Sequence, residues 1–305
     1  MPLKGKITSI SRTSLHDGPG VRTVVYFKGC GLRCAWCHNP ETLDLSSDIL
    51  FAPVKCIHCG KCIAVCPEHH KIENDSMVFL RDGCKKCGKC AENCPSGALS
   101  LVGRETSAEE LMAEIKKDIA YYNATGGGVT LSGGECLLQA DFCSGLLAAC
   151  KAEGIGTLVE TALFVPWNNI EKVLPFCDEF YADLKLPSPG KHREFTGHDN
   201  SLILKNLSRL SQTAKVTVRI PLIPGVNDSM EDMRHFAEIL LPLAPKLHGV
   251  ELLRYNNLAG SKYSQISMEY RDFGSPQPRE QIRLLCTGLE ALLENKTQVY
   301  AKTGG

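Results

Sequence analysis

The hydrophobic positions after residue 106 alternate between a helical period and short apolar runs. The segment TSAE at 106–109 has the spacing of a capping box, in which side chains satisfy the free amides of a helix start. Leu111, Ile115 and Ile119 then recur every four residues, and Tyr122 follows at helical spacing. The pattern predicts a helix over 107–122.

The same alternation of helical and extended segments continues to the end of the chain. Further helices are predicted at 138–153, 166–174, 200–212, 229–240 and 278–294. Strands are predicted within 126–135 and at 156–161, 179–184, 216–220 and 249–253. Strands that alternate with helices through short connections run parallel. About six such units favour an α/β fold with a partial (β/α)6 TIM-like barrel over a closed eight-stranded one.

The amino-terminal part of the chain supplies the first strand of this barrel. Residues 1–15 alternate polar and apolar, and HDGPG at 16–20 is typical of a turn. The β-branched and aromatic run VRTVVYFK at 21–28 predicts a strand, and a loop with three cysteines follows it directly. Parallel α/β folds place their chemistry at the carboxyl ends of strands, so this loop is expected in the functional site.

Cys30, Cys34 and Cys37 are the candidate catalytic residues and metal ligands of that loop. Three thiolates can hold a cluster of four irons while one iron stays open to a small molecule. A structural zinc site is the competing interpretation, but a closed zinc site uses four ligands and catalytic zinc more often includes His or carboxylate. The spacing therefore favours an iron–sulfur cluster with an open iron.

A second cysteine-rich segment interrupts the barrel pattern, with no predicted helix of normal length. Each half repeats C-x2-C-x2-C-x3-C-P, the run of bacterial ferredoxins, in which the fourth cysteine binds the other half's cluster. We pair Cys56, Cys59 and Cys62 with Cys94, and Cys84, Cys87 and Cys90 with Cys66. A zinc ribbon of two CxxC pairs would leave four cysteines and both prolines unexplained. We therefore predict a ferredoxin-like insert at 48–101 with two 4Fe-4S clusters, and a barrel domain formed by 1–47 and 102–305.

The composition indicates the cellular compartment of the protein and excludes some classes of partner. The chain has 305 residues and sixteen cysteines, and clustering of eleven of them between 30 and 94 indicates metal sites in a reducing compartment. The amino terminus lacks the apolar segment of a secretory signal, so we expect a cytoplasmic protein. Lys plus Arg and Asp plus Glu both total 34, and no apolar run is long enough to cross a bilayer. We expect a monomer with no nucleic-acid or membrane partner.

The five cysteines outside the clusters are predicted to behave as small buried hydrophobic residues. They are spread through apolar or helical segments of the chain. These residues are Cys136, Cys143, Cys150, Cys177 and Cys286.

Polar residues at predicted strand ends complete the candidate pocket. The loop SGGE at 132–135 offers glycine backbone that a ligand can approach closely, although an ordinary turn would look the same. Asp183 and Lys185 lie two positions apart on a predicted strand, so their side chains share a face. The alternative is that they form a salt bridge on the surface of the strand, which would have the same spacing. Arg219 has the planar fork that binds a carboxylate, and an ion pair with Asp183 or another acid is the alternative.

These motifs together resemble a known enzyme family over residues 5–300. CxxxCxxC with an aromatic residue before its third cysteine is similar to the radical S-adenosylmethionine (radical SAM) superfamily. DGPGVRTVV, KGC, WCHNPE, LSGGE, DLK, RIPLIPGVND and YNNLAGSKY resemble, more narrowly, the glycyl radical enzyme activating enzymes. The cysteine-rich insert is similar to that of the subgroup with two additional 4Fe-4S clusters.

The resemblance implies a mechanism and a cofactor set. The three-cysteine cluster would bind the amino and carboxylate groups of S-adenosylmethionine, and one electron would cleave it to methionine and a 5'-deoxyadenosyl radical. That radical would abstract hydrogen from a backbone glycine of a partner glycyl radical enzyme. The two other clusters would pass electrons from an external donor such as flavodoxin or ferredoxin.

The resemblance also implies roles for individual side chains. Trp36 and His38 would flank the adenine, and Asp17 and Gly18 would face the partner's glycyl loop. The residues expected to hold the amino end of S-adenosylmethionine are Gly133, Gly134 and Glu135. Those expected near its carboxylate and ribose are Asp183, Lys185, Arg219 and, as a ribose contact, Asn256.

Three positions depart from the family pattern. Cys136 stands where many relatives have proline, and Asn256 stands where a histidine is common. Glu160 is longer than the aspartate that relatives often carry near the ligand carboxylate. The presence of a cation site near Glu160 therefore stays an open alternative. Two other functions also stay open. One is a radical enzyme that modifies a small molecule or peptide, and the other is a non-catalytic electron carrier.

Overall fold

The computed structural model describes residues 3–302, which form an α/β fold. The strands of this part are β1 (Lys4–Ser14), β2 (Arg22–Phe27), β3 (Asp48–Phe51), β4 (His70–Glu73), β5 (Ser76–Phe79), β6 (Leu99–Val102), β7 (Arg104–Ser107), β8 (Gly128–Gly133), β9 (Gly156–Thr161), β10 (Glu179–Asp183), β11 (Val216–Pro221), β12 (Gly249–Leu253) and β13 (Val299–Lys302). The α-helices are α1 (Lys61–Val65), α2 (Lys89–Glu92), α3 (Ala108–Ile115), α4 (Ile119–Thr125), α5 (Ala140–Ala152), α6 (Trp167–Val173), α7 (Pro189–Thr196), α8 (Ser201–Leu210), α9 (Met230–Leu240), α10 (Gly260–Gln265) and α11 (Arg279–Leu292).

A nine-stranded sheet organises the molecule, in the order β13-β12-β11-β10-β9-β8-β2-β1-β7. The seven strands from β13 to β2 in this order run parallel, whereas at one edge β1 pairs antiparallel with β2, and β7 pairs antiparallel with β1. Helices connect successive parallel strands, because a parallel pair needs a crossover that covers the sheet. The prediction of parallel strands joined by helices is confirmed.

Close approach between β8 and β9 depends on glycine. A Cβ atom on Gly128 would lie 1.9 Å from the carbonyl oxygen of Gly156, the residue it pairs with. Only glycine removes that clash, so the two strand starts can align at this spacing. The alignment also brings the carboxyl ends of β8 and β9 to the same edge of the sheet.

The predicted helix at 107–122 is two helices. A 3-10 turn at Lys116–Asp118 separates α3 from α4, and it carries the fully buried Asp118 inward. Asp118 accepts hydrogen bonds from Arg12 Nε at 3.0 Å and from Thr23 Oγ1 at 2.7 Å. These contacts with β1 and β2 favour the 3-10 turn at Asp118 over an uninterrupted helix. The capping box lies one residue later than predicted, between Ser107 and Glu110.

The other predicted helices and strands agree with the structure to within a few residues, and two helices of the described part outside 48–101 were missed, α7 and α10. α7 has eight residues and α10 has six, and few of them are apolar. Helices this short carry too few turns for a hydrophobic period to be recognised. Both pack beside the three-cysteine loop: Ala35 N donates to Phe195 O at the end of α7, and Lys262 on α10 bonds Asn39.

The hydrophobic core lies between the sheet and its covering helices. Val25, Leu131, Val159 and Phe180 are fully buried on four neighbouring strands. α5 covers them with one apolar face that includes Cys143 and Cys150. As predicted, Cys136, Cys143 and Cys150 are buried, whereas Cys177 and Cys286 are partly exposed.

Residues 48–102 contain two small antiparallel sheets and two short helices. β3 pairs antiparallel with β6, and β4 with β5, while α1 and α2 have only five and four residues. A small core of Ile49, Cys62, Met77, Cys90 and Leu99 holds these pieces together. The expectation that this segment has no helix of normal length is confirmed.

The ends of the predicted barrel domain, residues 1–2 and 303–305, lie outside the described residues. Within 3–302, no helix combines the length and the apolar character that a bilayer crossing requires.

Candidate active site at the carboxyl ends of the parallel strands

A cavity of about 610 Å³ opens where the parallel strands end. Its walls come from the three-cysteine loop and from the ends of β8, β9, β10, β11 and β12. The predicted site residues in this wall are Cys30, Cys34, Trp36, Cys37, His38, Gly133, Gly134, Asp183, Lys185, Arg219 and Asn256. The structure therefore brings together residues that are up to 226 positions apart in the chain, from Cys30 to Asn256.

Backbone hydrogen bonds fix the three-cysteine loop on the sheet. Cys30 N donates to Leu43 O at 3.0 Å, and Cys37 N donates to Cys34 O at 3.0 Å. Burial raises the pKa of the Cys30 thiol to about 11 and that of Cys37 to about 12, and it also raises the pKa of Cys34. Burial therefore disfavours the thiolate form at these positions, and a bound cation would offset that cost.

Glycine allows the loop after β8 to lie against the three-cysteine loop. A Cβ atom on Gly134 would lie 2.3 Å from the carbonyl oxygen of Gly29. Gly133 has φ +115°, and a Cβ atom there would lie 2.3 Å from Phe27 N. Side chains at either position would push the two loops apart, so this sequence is required for the narrow wall of the cavity.

Glu135 lies behind the cavity wall and is 1% exposed. Its carboxylate accepts hydrogen bonds from Thr161 Oγ1 at 2.9 Å and from Ala162 N at 2.9 Å. Burial raises the pKa of Glu135 to about 7 despite these donors. The side chain ties the glycine loop to the end of β9. Gly133 and Gly134 line the cavity, whereas Glu135 is not among the described residues that line it.

Lys185 and Asp183 form an ion pair in the cavity wall. Lys185 Nζ donates to Asp183 Oδ2 at 2.7 Å. Burial by itself would lower the pKa of Lys185, but the charge of Asp183 and the hydrogen bond to it raise this pKa well above its usual range. The cavity thus contains a fixed positive charge next to the three thiols, with one carboxylate beside it.

Arg219 on β11 is also paired, with one glutamate on the adjacent strand β12 and another on β9, two strands away. Its Nη1 donates to Glu160 Oε1 at 2.5 Å on β9, and its Nε lies 2.8 Å from Glu251 Oε2 on β12. Glu160 Oε2 accepts a hydrogen bond from Ser132 Oγ at 2.6 Å. Burial raises the pKa of Glu160, and the charge of Arg219 opposes this shift. The alternative interpretation of Arg219 as part of an ion pair is therefore correct, while the residue also faces the cavity.

Aromatic side chains close the opposite wall. Trp36 is 6% exposed and packs against Phe195 and Phe273, with ring centroids 6.0 Å apart in each case. His38 Nε2 lies 3.2 Å from Asn256 O, which joins the cysteine loop to the segment after β12. Asn256 Oδ1 accepts from Leu258 N at 3.3 Å. This wall offers flat apolar surface with a few polar atoms at its rim.

The sequence analysis missed Ser132 and Thr161 as individual site residues. Each lines the cavity and binds a carboxylate, Ser132 that of Glu160 and Thr161 that of Glu135. A weak signal was present, because both residues lie at the ends of predicted strands. Their partners could not be read from the sequence, since the contacts join different strands.

The eleven clustered cysteines are free thiols. A second, small cavity is lined by Cys56, Cys59, Cys62 and Cys94. The thiol of Cys90 lies close enough to those of Cys84 and Cys66 for their charges to raise its pKa, after the larger effect of burial. Cys59 and Cys87 are exposed.

The thiol arrangement differs from a site for a single metal ion. Among residues 3–302, no three His, Cys, Asp or Glu side chains converge as they would on one ion. The ligands of a four-iron cluster stand farther apart, because each cysteine binds a different iron. Sets of three or four separated thiols around one space fit such clusters.

A family model described as the radical SAM superfamily matches residues 24–237, from β2 to α9. The match includes the three-cysteine loop and the ends of β8 to β11, so the chain belongs to the radical SAM superfamily of enzymes. Its relatives are more specific. Within the superfamily, the chain belongs to the activating enzymes of glycyl radical enzymes.

Two relatives illustrate the similarity. The (2S)-3-sulfopropanediol dehydratase activating enzyme of Klebsiella oxytoca is 40% identical over 275 residues, which cover 88% of this chain and 87% of that enzyme. The choline trimethylamine-lyase activating enzyme of Oleidesulfovibrio alaskensis is 40% identical over 282 residues, 90% of each chain. In fold alone, Streptococcus suis SuiB bound to the precursor peptide SuiA is similar, with a TM-score of 0.57, 13% identity and coverage of 92% of this chain and 48% of that one.

Proposed function

We propose that this protein cleaves S-adenosylmethionine reductively and uses the resulting 5'-deoxyadenosyl radical to abstract hydrogen from a backbone glycine of a partner glycyl radical enzyme. The observation that carries the proposal is the shared cavity, which joins Cys30, Cys34 and Cys37 to the ends of five parallel strands. The relatives support it, because they are activating enzymes and this chain matches them over most of their length. A pure electron carrier would not need this cavity.

Cys30, Cys34 and Cys37 are the proposed ligands of a 4Fe-4S cluster. Their partly buried thiols line the cavity, and nothing in the wall supplies a fourth cysteine among the described residues. When bound, this cluster supplies the electron that cleaves the sulfonium of S-adenosylmethionine. The protein's own contribution is to hold the thiolates on a rigid backbone and to leave space beside them.

The polar wall of the cavity suits the amino-acid end of S-adenosylmethionine. Gly133 and Gly134 expose backbone groups where no Cβ intervenes, and we propose that they receive the amino group together with the loop that Glu135 anchors. Lys185 and Arg219 carry positive charge for the carboxylate, and Asp183 can accept from a ribose hydroxyl. Each of these groups is held by another protein group, so binding requires little reorganisation.

The apolar wall suits the adenine. Trp36 and His38 offer flat surfaces, and we propose that the ring lies between them and the segment of Asn256. Asn256 could bind a ribose hydroxyl through its amide, although it now caps its own loop. The buried aromatic residues exclude water, which protects a reactive radical from side reactions.

The turn before β2 is the proposed contact for the partner's glycyl loop. Asp17 lines the cavity, its backbone oxygen accepts from Thr130 Oγ1 at 2.7 Å, and its side chain accepts from Ser14. Gly18 has φ +134°, and a Cβ there would lie 2.6 Å from Arg22. The turn is therefore held rigidly at the entrance, where an extended peptide can approach.

We propose that residues 48–101 are a ferredoxin-like domain with two 4Fe-4S clusters, inserted into a partial barrel formed by 1–47 and 102–305. The pairing of β3 with β6 supports these boundaries, because it brings the two ends of the insert together. The four thiols around the second cavity support one cluster, and the proximity of Cys84, Cys90 and Cys66 supports the other. Exposed Cys59 and Cys87 allow an external donor such as flavodoxin or ferredoxin to approach.

We further propose that the protein works as a monomer in the cytoplasm, since its many free thiols suit a reducing compartment. The relatives' names suggest a first panel of partners, including choline trimethylamine-lyase and (2S)-3-sulfopropanediol dehydratase.

The experiment is anaerobic incubation of the reconstituted protein with S-adenosylmethionine and dithionite. We expect 5'-deoxyadenosine and methionine, and a glycyl radical signal in electron paramagnetic resonance when the correct partner is added. Cys34→Ala should abolish cleavage. Cys59→Ala should keep part of the cleavage by dithionite but slow electron transfer from a protein donor. If the reconstituted protein produced no 5'-deoxyadenosine, the proposal would be wrong.

A further inference from the structure

Arg81 connects the cysteine-rich insert to the segment around α10. Its Nε donates to Ser267 Oγ at 3.0 Å, and its Nη2 donates to Gln265 O. On the insert side, its Nη1 donates to Asp48 Oδ1 at 3.1 Å and its Nη2 to Ile49 O at 2.7 Å. Its side chain is only 22% exposed, so one guanidinium joins the two parts of the molecule through four hydrogen bonds.

The other side of α10 holds the three-cysteine loop. Lys262 Nζ donates to Asn39 Oδ1 at 2.6 Å and lies 3.1 Å from Glu41 Oε1. Asn39 is two residues after Cys37, and the backbone oxygen of Glu41 accepts from Lys28 Nζ at 2.5 Å. Six residues of helix therefore link Arg81 to the loop of the catalytic cysteines.

Among residues 3–302, the side-chain link to α10 comes from the half of the segment that contains Cys84 and Cys87. Arg81 is three residues before Cys84, and Asp48, which binds Arg81, also lies 3.3 Å from Lys86 Nζ. In the described part of the chain, the hydrogen bonds of residues 53–66 have both partners within the insert. The loop that contains Cys84 and Cys87 is therefore the half that the structure holds against α10.

We propose that Arg81 and Lys262 are positioning residues that fix the Cys84–Cys90 loop relative to the Cys30–Cys37 loop and so set the order of electron transfer. The inference rests on the proposed function. One electron leaves the reduced site held by Cys84, Cys87, Cys90 and Cys66, and it enters the oxidised site held by Cys30, Cys34 and Cys37. No bond or proton is exchanged, and a one-electron reductant resupplies the insert through the site that includes Cys59.

The test compares variants in the full-length protein with all three sites loaded and reduced by dithionite. The readout is the electron-spin relaxation of the Cys30–Cys37 site, which is fast only when another reduced site is close. We expect fast relaxation in the wild type and in Cys59→Ala, and slow relaxation in Cys87→Ala. Slow relaxation in Cys59→Ala with fast relaxation in Cys87→Ala would overturn the proposed order.

A second set of variants tests the positioning residues Arg81 and Lys262. Arg81→Ala and Lys262→Ala should lose the fast relaxation, and Arg81→Lys should restore part of it, because lysine can reach fewer of the four acceptors. Lys89→Ala is the matched control: it removes one positive charge from the same loop, where the side chain is exposed. Wild-type relaxation in Arg81→Ala, or an equal loss in Lys89→Ala, would overturn the positioning role.

A second measurement does not depend on loaded clusters. In the metal-free protein, Arg81→Ala should increase amide hydrogen exchange in 260–267 and in 37–42, whereas Lys89→Ala should not. Unchanged exchange in both segments would overturn the proposal even if Arg81→Ala could not be loaded with iron. Failure of the wild type to produce 5'-deoxyadenosine would instead count against the proposed function, so the two failures can be told apart.

Discussion

Lys185 Nζ bonds Asp183 Oδ2 at 2.7 Å beside the three cysteine thiols, and this pair forms the charged wall of the cavity. The cation is nearly buried and faces the space proposed for S-adenosylmethionine. Its positive charge also lies near Cys34. The pair therefore links the ligand wall to the cluster loop.

Lys185→Met keeps most of the side-chain volume but removes the charge. We expect the dissociation constant for S-adenosylmethionine to rise at least about tenfold, equivalent to roughly 1.4 kcal/mol, because a charged hydrogen bond is lost. Equilibrium dialysis with the reconstituted protein measures this. Lys205→Met, an exposed residue on α8, is the control for charge loss. Equal affinity in both variants would rule out the carboxylate contact.

Arg219 joins β9, β11 and β12 through Glu160 and Glu251. Arg219→Lys keeps the charge but cannot reproduce both contacts, so we expect the free energy of unfolding to fall by about 1–3 kcal/mol. Urea unfolding of the metal-free protein measures the change. Arg209→Lys alters an exposed pair with Glu171 and should change it by less than about 0.5 kcal/mol. Similar small effects at both positions would contradict this prediction.

Glu135 gives the protein a pH-dependent stability. Because its pKa is raised from 4.5 to about 7, the native protein binds this proton more tightly than the unfolded chain does. Stability therefore falls as pH rises from about 4.5 to about 7, by roughly 3 kcal/mol in total. Glu135→Gln cannot titrate, so the wild type should lose stability relative to this variant as pH rises.

The measurement is urea unfolding of the metal-free proteins at pH 5 and pH 8. We expect the difference between wild type and Glu135→Gln to change by about 2 kcal/mol between these conditions. Glu238→Gln, an exposed change on α9, controls for the loss of a negative charge. A difference that stays constant with pH would mean that Glu135 titrates alike in both states.

Gly134 controls how closely the two site loops approach. Gly134→Ala would place a Cβ 2.3 Å from Gly29 O and 3.1 Å from Thr42 Oγ1, so we expect weaker ligand binding and loss of at least about 2 kcal/mol of stability. Gly145→Ala is the matched control, since its Cβ meets nothing within 4 Å inside α5. That variant should gain about 0.5–1 kcal/mol. Thermal unfolding of both variants measures the contrast.

Much of the fold could be predicted from local patterns. Alternating helical and strand periods predicted the parallel strands, because each side chain's environment repeats with the geometry of its own element. The helix over 107–122 shows the limit of such patterns. Arg12 and Thr23 bind Asp118 from two other strands and break that helix, and the contact joins residues 106 positions apart.

The candidate site likewise has features that local sequence predicts and features that only the tertiary structure decides. Cysteine spacing alone predicted three ligands beside β2 and two sets in the insert, because ligands to one cluster must lie close together and short loops make that possible. The partner of Arg219, the anchoring of Glu135 by Thr161, and the link through Arg81 and α10 were decided only by tertiary structure. Those contacts depend on which strands lie side by side and on how the insert packs, and neither is encoded in the spacing of neighbouring residues.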